Sequence, residues 1–266
     1  MMSGRFWYQS MAPISGLTHY RRALDKHARE ACSDGITVVV NGVREERYHG
    51  RMPAEVHRYP YAKLTLQLDA IEFGMRAERE GFDAYIIGSF SEPFLQETRS
   101  VLDIPVVSLA EASLLTACSL SEQFALISLS SAYARRLRGV VKRHGLESRL
   151  AGVHGLTTPR DEAEVDLAFA SPGELIEDFL SVARKAVDGG ADCIIPAEGL
   201  LSELLYENHV TSIADATVLD CVGATLLHAE MLVNAKRRLG LGVGRRWAFP
   251  KPPPDLLGEL RAGRDR

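Results

Sequence analysis

A serine and a glutamate occupy matching positions in a stretch that occurs twice in this 266-residue chain. The first copy, GFDAYIIGSFSEP, begins at Gly81, and the second, GGADCIIPAEGLL, begins at Gly189. When Gly81 is aligned with Gly190, Ser89 lies opposite Glu198, 109 residues further on. A glutamate can act as a general base, and a serine can hold a carbonyl oxygen or attack it once a base activates it. These two residues are therefore the catalytic candidates.

A second pair of similar stretches supports the repeat. IPVVSLAEASLL begins at Ile104 and ATVLDCVGATLL begins at Ala216, an offset of 112 residues. Self-similarity at a nearly constant offset indicates two copies of one supersecondary unit. Each copy reads as a helix, a buried strand, a polar residue at the carboxyl end of that strand, and another helix. Because ligands of open parallel sheets bind at the carboxyl ends of the strands, we expect Ser89 and Glu198 to face one cleft.

Short apolar runs alternate with helical patterns along the chain, which predicts an α/β fold with parallel sheets. The simplest arrangement is two pseudo-symmetric Rossmann-like lobes, each a four-stranded parallel sheet flanked by helices, with the active-site cleft between them. We assign residues 1–111 and 215–266 to lobe 1 and residues 112–214 to lobe 2. The predicted strands are 5–8, 36–40, 84–87, 104–107, 124–128, 150–154, 192–196 and 217–220. The main predicted helices are 61–79, 92–101, 111–118, 132–144, 172–188 and 222–238.

Two segments have no regular pattern. Residues 41–60 are polar and contain two prolines, and they can cover a site, form a surface excursion or make an oligomer contact. The histidines His49 and His57 in this segment are further candidates for the cleft, although nothing in the sequence fixes their position. Near the end of the chain, the run Lys251-Pro252-Pro253-Pro254 is not expected to be helical and is expected to lie along the surface.

Serines recur where predicted strands end and helices begin. Such serines are ordinary N-caps, but three groups at equivalent strand ends also suggest an anion-binding cradle of hydroxyls and free backbone N–H groups. Glu198 also has a purely structural interpretation as the cap of its helix, since a carboxylate is favourable in a first turn. The substrate-binding candidates at these ends are Gln9, Ser10, Phe90, Ser91, Ser130, Ser131, His154 and Gly199.

Composition excludes several classes of function. The net charge of −4 is not that of a nucleic-acid-binding surface. No apolar run is long enough to cross a membrane, and the first residues do not resemble a signal peptide. The four cysteines have no zinc-like spacing, and no glycine-rich nucleotide loop is present. We therefore expect a cytoplasmic homo-oligomer that acts on a small molecule, without metal or cofactor, nucleic acid or membrane.

The strand-end stretches resemble those of the aspartate/glutamate/hydantoin racemase superfamily, which includes maleate isomerases and arylmalonate decarboxylases. The resemblance covers about residues 81–232 and is strongest to the hydantoin racemase branch. It rests on GFDAYIIGSFSEPFL, IPVVSLAEASLL, FALISLSSAYARRLRGVVKRHGLESRLAGV, GGADCIIPAEGLL and VLDCVGATLLHAE. It implies two pseudo-symmetric α/β lobes with the active site between them.

This chain departs from the racemases of that superfamily at the two strand ends. Those enzymes carry a cysteine at each end, one thiolate removing the α-proton and the other thiol returning it, whereas here the positions are Ser89 and Glu198. Cys193 lies inside a predicted strand and Cys221 follows a different one, so neither replaces them. A single glutamate base suits isomerisation or a lyase reaction, and suits racemisation only if water reprotonates the far face. The alternatives are a hydrolase, in which Glu198 activates water or Ser89, and a binding protein without catalysis.

Overall fold

Two separate sheets form the centre of the molecule in a computed structural model that describes residues 3–264. The first sheet is entirely parallel in the order β2-β1-β3-β4. Its strands are β1 (Gly4–Ser10), β2 (Ile36–Asn41), β3 (Ala84–Gly88) and β4 (Val106–Ser108). The second sheet has the order β6-β5-β7-β9-β8. Its strands are β5 (Phe124–Ser128), β6 (Leu150–Gly155), β7 (Cys193–Pro196), β8 (Ser212–Ile213) and β9 (Ala216–Val218).

Helices flank both sheets, as the α/β prediction requires. They are α1 (Thr18–Ala31), α2 (Pro53–Val56), α3 (Pro60–Gln67), α4 (Asp69–Arg79), α5 (Leu95–Val101), α6 (Leu109–Leu120), α7 (Ser131–Arg143), α8 (Glu162–Ala168), α9 (Gly173–Asp188), α10 (Gly199–Glu207), α11 (Cys221–Leu239) and α12 (Pro254–Arg264). Short 3₁₀ turns occur at Glu45–Tyr48 and Glu147–Arg149. Within residues 3–264, no helix has both the length and the hydropathy needed to cross a bilayer.

The strand order shows the internal repeat directly. The arrangement β2-β1-β3-β4 recurs as β6-β5-β7-β9, so β3 and β7 hold the same place in their sheets. Both strands are fully buried, as expected of central parallel strands with layers on both faces. The prediction that Ser89 and Glu198 follow equivalent strands is therefore confirmed.

The second sheet has one strand more than predicted. β8 runs antiparallel to β9 and is joined to it by Ala214 and Asp215, whose φ angles are 45° and 64°. Two left-handed residues form the tight turn that joins two strands of a hairpin. A two-residue strand has too little sequence pattern for detection, which explains why four strands were expected.

The predicted lobe boundary between residues 214 and 215 places β9 and α11 together in lobe 1, but in the structure they pack against different sheets. β9 pairs with β7, so the strand predicted at 217–220 belongs to the second sheet. The following helix α11 packs against β3, β4 and α6, on the side of the first sheet. The lobe boundaries at 111/112 and 214/215 stay a prediction. A division by sheets would place β9 in the second lobe.

Three local predictions differ from the structure. The helix expected over 61–79 is two helices, α3 and α4, which meet at Leu68. The helix expected from Glu92 begins only at Leu95, because Glu92 and Phe94 adopt left-handed backbone conformations with φ of 38° and 52°. In the tail, the proline run is non-helical as far as Pro253, and Pro254 then starts α12, since proline is well suited to the first position of a helix.

Candidate functional site

A cavity of about 380 Å³ lies where the carboxyl ends of the central strands of both sheets meet. Ser10 is the last residue of β1, Ser89 follows β3, Ser130 follows β5 and Glu198 follows β7, and all four line this cavity. The parallel sheets thus bring together residues that are far apart in the chain, as the repeat predicted. The remaining lining residues are Met11, Ala12, Tyr20, Pro53, Ala54, His57, Arg58, Gly88, Leu129, Ala132, Tyr133, Arg136, Arg160, Glu162 and Leu200.

Glu198 is both a helix cap and a lining residue of the cavity. Its Oε2 accepts the backbone N–H groups of Leu200 at 2.6 Å and Leu201 at 3.3 Å, at the start of α10. Burial raises the pKa of Glu198, and the N–H groups of Leu201, Leu200 and Gly199 oppose this rise only in part. A carboxylate with a raised pKa is a better base near neutral pH than an exposed one.

Ser89 is held by a short chain of polar side chains. Its Oγ lies 3.0 Å from the Oγ of Ser91 and accepts the backbone N–H of Ser91 at 3.2 Å. Gln67 in turn donates to the Oγ of Ser91 at 2.8 Å. Within the described part of the chain, no carboxylate or histidine is hydrogen-bonded to the Ser89 hydroxyl. This arrangement orients the hydroxyl but supplies no base to activate it.

The other two serines of the cavity also accept backbone N–H groups close to them in the chain. Ser130 Oγ accepts the N–H of Tyr133 at 3.3 Å and thereby caps α7. Ser10 Oγ accepts the N–H of Ala12 at 3.2 Å. The N-cap interpretation is therefore correct for Ser130 and wrong for Ser10, because α1 begins only at Thr18. Both side chains border the cavity.

Six of the predicted binding residues do not line the cavity: Gln9, Phe90, Ser91, Ser131, His154 and Gly199. Gln9 points to the opposite face of β1 from Ser10, because side chains alternate along a strand, and its Oε1 accepts Trp7 Nε1 at 3.0 Å. The ring of His154 lies back over Gly152, toward the amino end of β6, where the missing Cβ leaves room.

The other four lie beside or behind the cavity wall. Phe90 is buried in the main apolar core. Ser91 supports Ser89 from behind through the hydrogen bonds described above. Ser131 is exposed on α7, and its backbone packs against Gly155. Gly199 lies beneath the hydroxyl of Tyr20, where a Cβ at position 199 would come within 3.0 Å of that oxygen.

Residues 41–60, named here the covering segment, reach over the cavity from the first sheet. Pro53, Ala54, His57 and Arg58 contribute to the cavity wall. The segment is tied to the other lobe, because the N–H of Ala54 donates to Glu162 Oε2 at 3.0 Å and Arg136 donates to the carbonyl of His57 at 2.9 Å. Of the three roles that the sequence left open for this segment, the geometry matches coverage of a site.

His57 is the histidine of the covering segment that reaches the cavity. Its Nε2 lies 3.1 Å from the hydroxyl of Tyr48. Burial lowers the pKa of His57 to about 4, assisted by the nearby charges of Lys63 and Arg136. The imidazole is therefore neutral at physiological pH. His49, by contrast, is exposed and outside the cavity wall.

The sequence did not single out the other charged groups of the cavity. Glu162 begins α8 and is only 7% exposed. Burial and the charge of Glu198 raise the pKa of Glu162 to about 7. Arg58, Arg136 and Arg160 add three cationic side chains to the same cavity. The pattern Asp161-x-x-Glu164, a capping box, was the available signal for a helix start at this point.

Neither a metal site nor a reactive thiol is found at the cavity. Among residues 3–264, no group of three or more His, Cys, Asp or Glu side chains is placed to hold a metal ion. Cys193 and Cys221 are fully buried and outside the cavity wall, and burial raises the pKa of both thiols. The acid–base groups at the cavity are therefore two carboxyl groups, one imidazole and the phenols of Tyr20 and Tyr133.

Comparisons with known proteins agree with the geometry. The family model described as Asp/Glu/Hydantoin racemase matches residues 11–229. Hydantoin racemase of Pseudomonas sp. (strain NS671) is 26% identical over 187 residues, which is 70% of this chain and 72% of that protein. Hydantoin racemase of Paenarthrobacter aurescens is also 26% identical, over 189 residues, 68% of this chain and 73% of that one.

A solved structure shares the fold over nearly the whole length. Allantoin racemase from Klebsiella pneumoniae superimposes with a TM-score of 0.73, covering 94% of both chains. Its sequence identity is 20%, so the comparison supports the two-sheet architecture rather than a particular substrate.

Proposed function

Because the chain belongs to the Asp/Glu/hydantoin racemase family, whose members include racemases, we propose that it is a cofactor-independent enzyme that transfers a proton at a carbon atom of a small substrate. Glu198 is the general acid/base in this proposal. The substrate is a small carboxylate or a cyclic amide, and the reaction is isomerase-like or lyase-like.

The position of Glu198 is the observation that carries the proposal. This carboxylate occupies one of the two strand ends at which the resemblance implies an acid–base group, and it borders a cavity of about 380 Å³. It is held by the N-terminal amides of α10, and burial raises its pKa toward the working range of a base. None of the ion pairs within residues 3–264 involves Glu198, so no fixed cation has to be displaced for it to act.

Ser89 has a supporting role in this mechanism. It faces the same cavity, where its hydroxyl is positioned to hold a substrate oxygen as negative charge develops there. The alternative in which Ser89 is a nucleophile receives little support, because its hydroxyl bonds only to Ser91 in the described contacts. The other hydrolase alternative, in which Glu198 activates a water molecule, is one of the outcomes that the experiment below distinguishes.

The charges of the cavity favour an anionic or strongly polar substrate. Arg58, Arg136 and Arg160 lie in its wall, and guanidinium groups bind planar carboxylate or imide oxygens well. Arg160 is already paired with Glu174, at 2.5 Å, so Arg58 and Arg136 are the cations available for a substrate. Assembly as a homo-oligomer and location in the cytoplasm stay predictions.

The experiment is a reaction in D₂O with four probes: 5-methylhydantoin, allantoin, aspartate and glutamate, each supplied as a single enantiomer. Chiral chromatography follows configuration, and NMR and mass spectrometry follow deuterium at carbon. The proposal expects deuterium at carbon for at least one probe, above an enzyme-free blank. A product heavier by one water would show a hydrolase instead, and binding without turnover would indicate a binding protein.

A further inference from the structure

We propose that Glu162 is the second acid–base group of this site and acts on the same substrate as Glu198. The inference rests on the proposed function and deepens it. The sequence alone indicated a single base and left water to reprotonate the far face. The structure places a second carboxyl group in the wall of the same cavity.

Local structure holds Glu162 firmly in place. It is the first residue of α8, whose start is fixed by a reciprocal capping box. Asp161 Oδ1 accepts the N–H of Glu164 at 2.9 Å, and Glu164 Oε2 accepts the N–H of Asp161 at 2.8 Å. A catalytic group on a rigid helix start keeps its geometry better than one on a free loop. With 7% of its surface exposed, Glu162 is closed off from bulk solvent.

The contacts of Glu162 leave it available for proton transfer. Its Oε2 accepts one backbone N–H, that of Ala54 in the covering segment. None of the ion pairs within residues 3–264 includes Glu162. The charged and titratable groups around it are Glu198 at the start of α10, Asp161 and Arg160 before α8, Tyr20 on α1, Tyr133 and Arg136 on α7, and Tyr48, His57 and Arg58 in the covering segment.

Two carboxyl groups in one buried cavity do not ionise independently. Burial and the charge of Glu198 act together on Glu162 and raise its pKa to about 7, so it retains a proton over part of the neutral range. Such a pair can contain one base and one acid at the same time, which is the condition that a two-base reaction requires.

The step balances without any co-reactant. The C–H bond of the substrate breaks, its proton goes to the Glu198 carboxylate, and the electron pair is delocalised onto the adjacent carbonyl. The O–H bond of Glu162 then breaks as its proton forms the new C–H bond. Glu198 ends protonated and Glu162 ionised, and reaction of the opposite enantiomer restores the starting state.

Single variants in D₂O test this assignment with the four probes named above. In Glu162→Gln, the side-chain carbonyl still accepts the N–H of Ala54, but no proton can be delivered to carbon. We expect inversion to fall about 10²–10⁴-fold, as for loss of a general acid. The same variant is expected to exchange hydrogen for deuterium with retention in one enantiomer, because Glu198 still removes and returns a proton on its own face. Glu198→Gln should exchange only the other enantiomer.

The matched control is Glu177→Gln, since Glu177 is exposed on α9 and outside the cavity wall. It is expected to behave as wild type. Thermal melting of all three variants shows whether a loss of rate reflects loss of folding. Inversion by Glu162→Gln at the wild-type rate would overturn the assignment.

A second measurement is independent of the substrate. Titration of ¹³C-labelled carboxyl groups by NMR should show Glu162 titrating near neutral pH, and shifted to lower pH in Glu198→Gln, which lacks the neighbouring charge. Titration in the range of a surface carboxyl in both proteins would overturn the assignment. Absence of exchange by the wild type with all four probes would instead count against the proposed function.

Discussion

The ends of β3 and β7 are equivalent in the repeat, yet the chain continues differently after each. After β7, only Ala197 and Glu198 precede α10, whose first amides bind the carboxylate of Glu198. After β3, a loop of six residues intervenes before α5 begins at Leu95. No helix amides are therefore at hand for Ser89, and its hydroxyl bonds to Ser91 instead. The difference shows why a carboxylate is stabilised at the end of β7, where helix amides bind it, and would not be stabilised in the same way at the end of β3.

The two lobes also contain comparable histidine–carboxylate clusters that link one lobe to the other. On α1, His27 Nδ1 lies 2.8 Å from Glu203 and Nε2 lies 2.9 Å from Asp220, which caps α11. Just beyond α7, His144 Nε2 lies 2.9 Å from Glu92. His27 comes from the lobe of the first sheet and Glu203 from the segment after β7 of the second sheet. The second cluster is the reverse, since His144 follows α7 and Glu92 follows β3.

Burial distinguishes the two clusters. The side chains of His27 and Glu203 are 1% and 0% exposed, whereas that of His144 is 16% exposed beside a Glu92 side chain that is 2% exposed. Burial alone would lower the pKa of His27, but the hydrogen bonds to Asp220 and Glu203 raise it to about 9. The hydrogen bond to Glu92 also raises the pKa of His144. The left-handed backbone at Glu92 is part of the loop that brings this carboxylate to His144.

The largest effect is expected from removing the carboxylate at the β7 end. Glu198→Gln keeps the size and the hydrogen-bonding capacity of the side chain but removes the proton acceptor, so kcat should fall about 10²–10⁴-fold. Ligand binding, measured by calorimetry, should be largely retained. Glu177→Gln serves as the control. Full activity of Glu198→Gln would remove this residue from the mechanism and leave Glu162 and His57 as the candidate bases.

The two histidine clusters should differ in their contribution to stability. Removing one partner of a buried ion pair typically costs about 3–5 kcal/mol. The cost is smaller where another partner remains, as Arg143 does for Glu92 at 3.2 Å. His27→Gln should therefore lower the free energy of unfolding more than His144→Gln does. Denaturant titrations of the two variants measure the difference, and equal losses would contradict the comparison.

The contribution of His27 should depend on pH with a defined sign. Its pKa in the folded protein, about 9, lies above the ordinary value of 6.5. The stability that its charged form contributes is thus complete below pH 6.5 and is lost as pH rises through about 9. The difference in unfolding free energy between wild type and His27→Gln should shrink over that interval. A difference that stays constant from pH 6 to 9.5 would show that His27 does not titrate there.

A smaller effect is expected at the β3 end. Ser89→Ala removes one hydroxyl that orients the substrate, which should cost about 1–3 kcal/mol of transition-state stabilisation in kcat/KM. If Ser89 were a nucleophile, the loss would equal that in Glu198→Gln, because residues that act as a unit are not additive. Steady-state kinetics of both variants on one substrate separates these outcomes.

The residues that precede Ser89 and Glu198 also differ, and a small effect on stability is expected from this difference. Gly88 precedes Ser89, whereas Ala197 precedes Glu198. A Cβ at Gly88 would come within 2.4 Å of the Tyr8 ring, so Gly88→Ala should destabilise the fold by about 1–3 kcal/mol. Gly139→Ala, at an exposed position of α7 where an added Cβ meets nothing within 4 Å, should instead stabilise it by about 0.5–1 kcal/mol. Thermal unfolding of both variants reports the two signs, and a neutral Gly88→Ala would show that Tyr8 can move.

The repeated architecture and the equivalence of Ser89 and Glu198 could be predicted from the order of residues in the chain. Apolar strands alternating with helices specify parallel sheets locally, and parallel sheets bring all carboxyl ends to one edge. The two residues were therefore predicted to share a cleft from their order in the chain alone, and the sheets place both at one cavity.

Which other side chains face that cavity depends on how the two lobes pack together. Glu162, Arg136 and Arg58 come from three separate segments, and their meeting depends on how the covering segment crosses to the other lobe. The direction of a side chain also could not be predicted from its position at a strand end, since Ser10 faces the cavity while His154 folds back over Gly152. The physical reason is that local patterns determine where a strand ends, whereas packing between lobes determines what meets there.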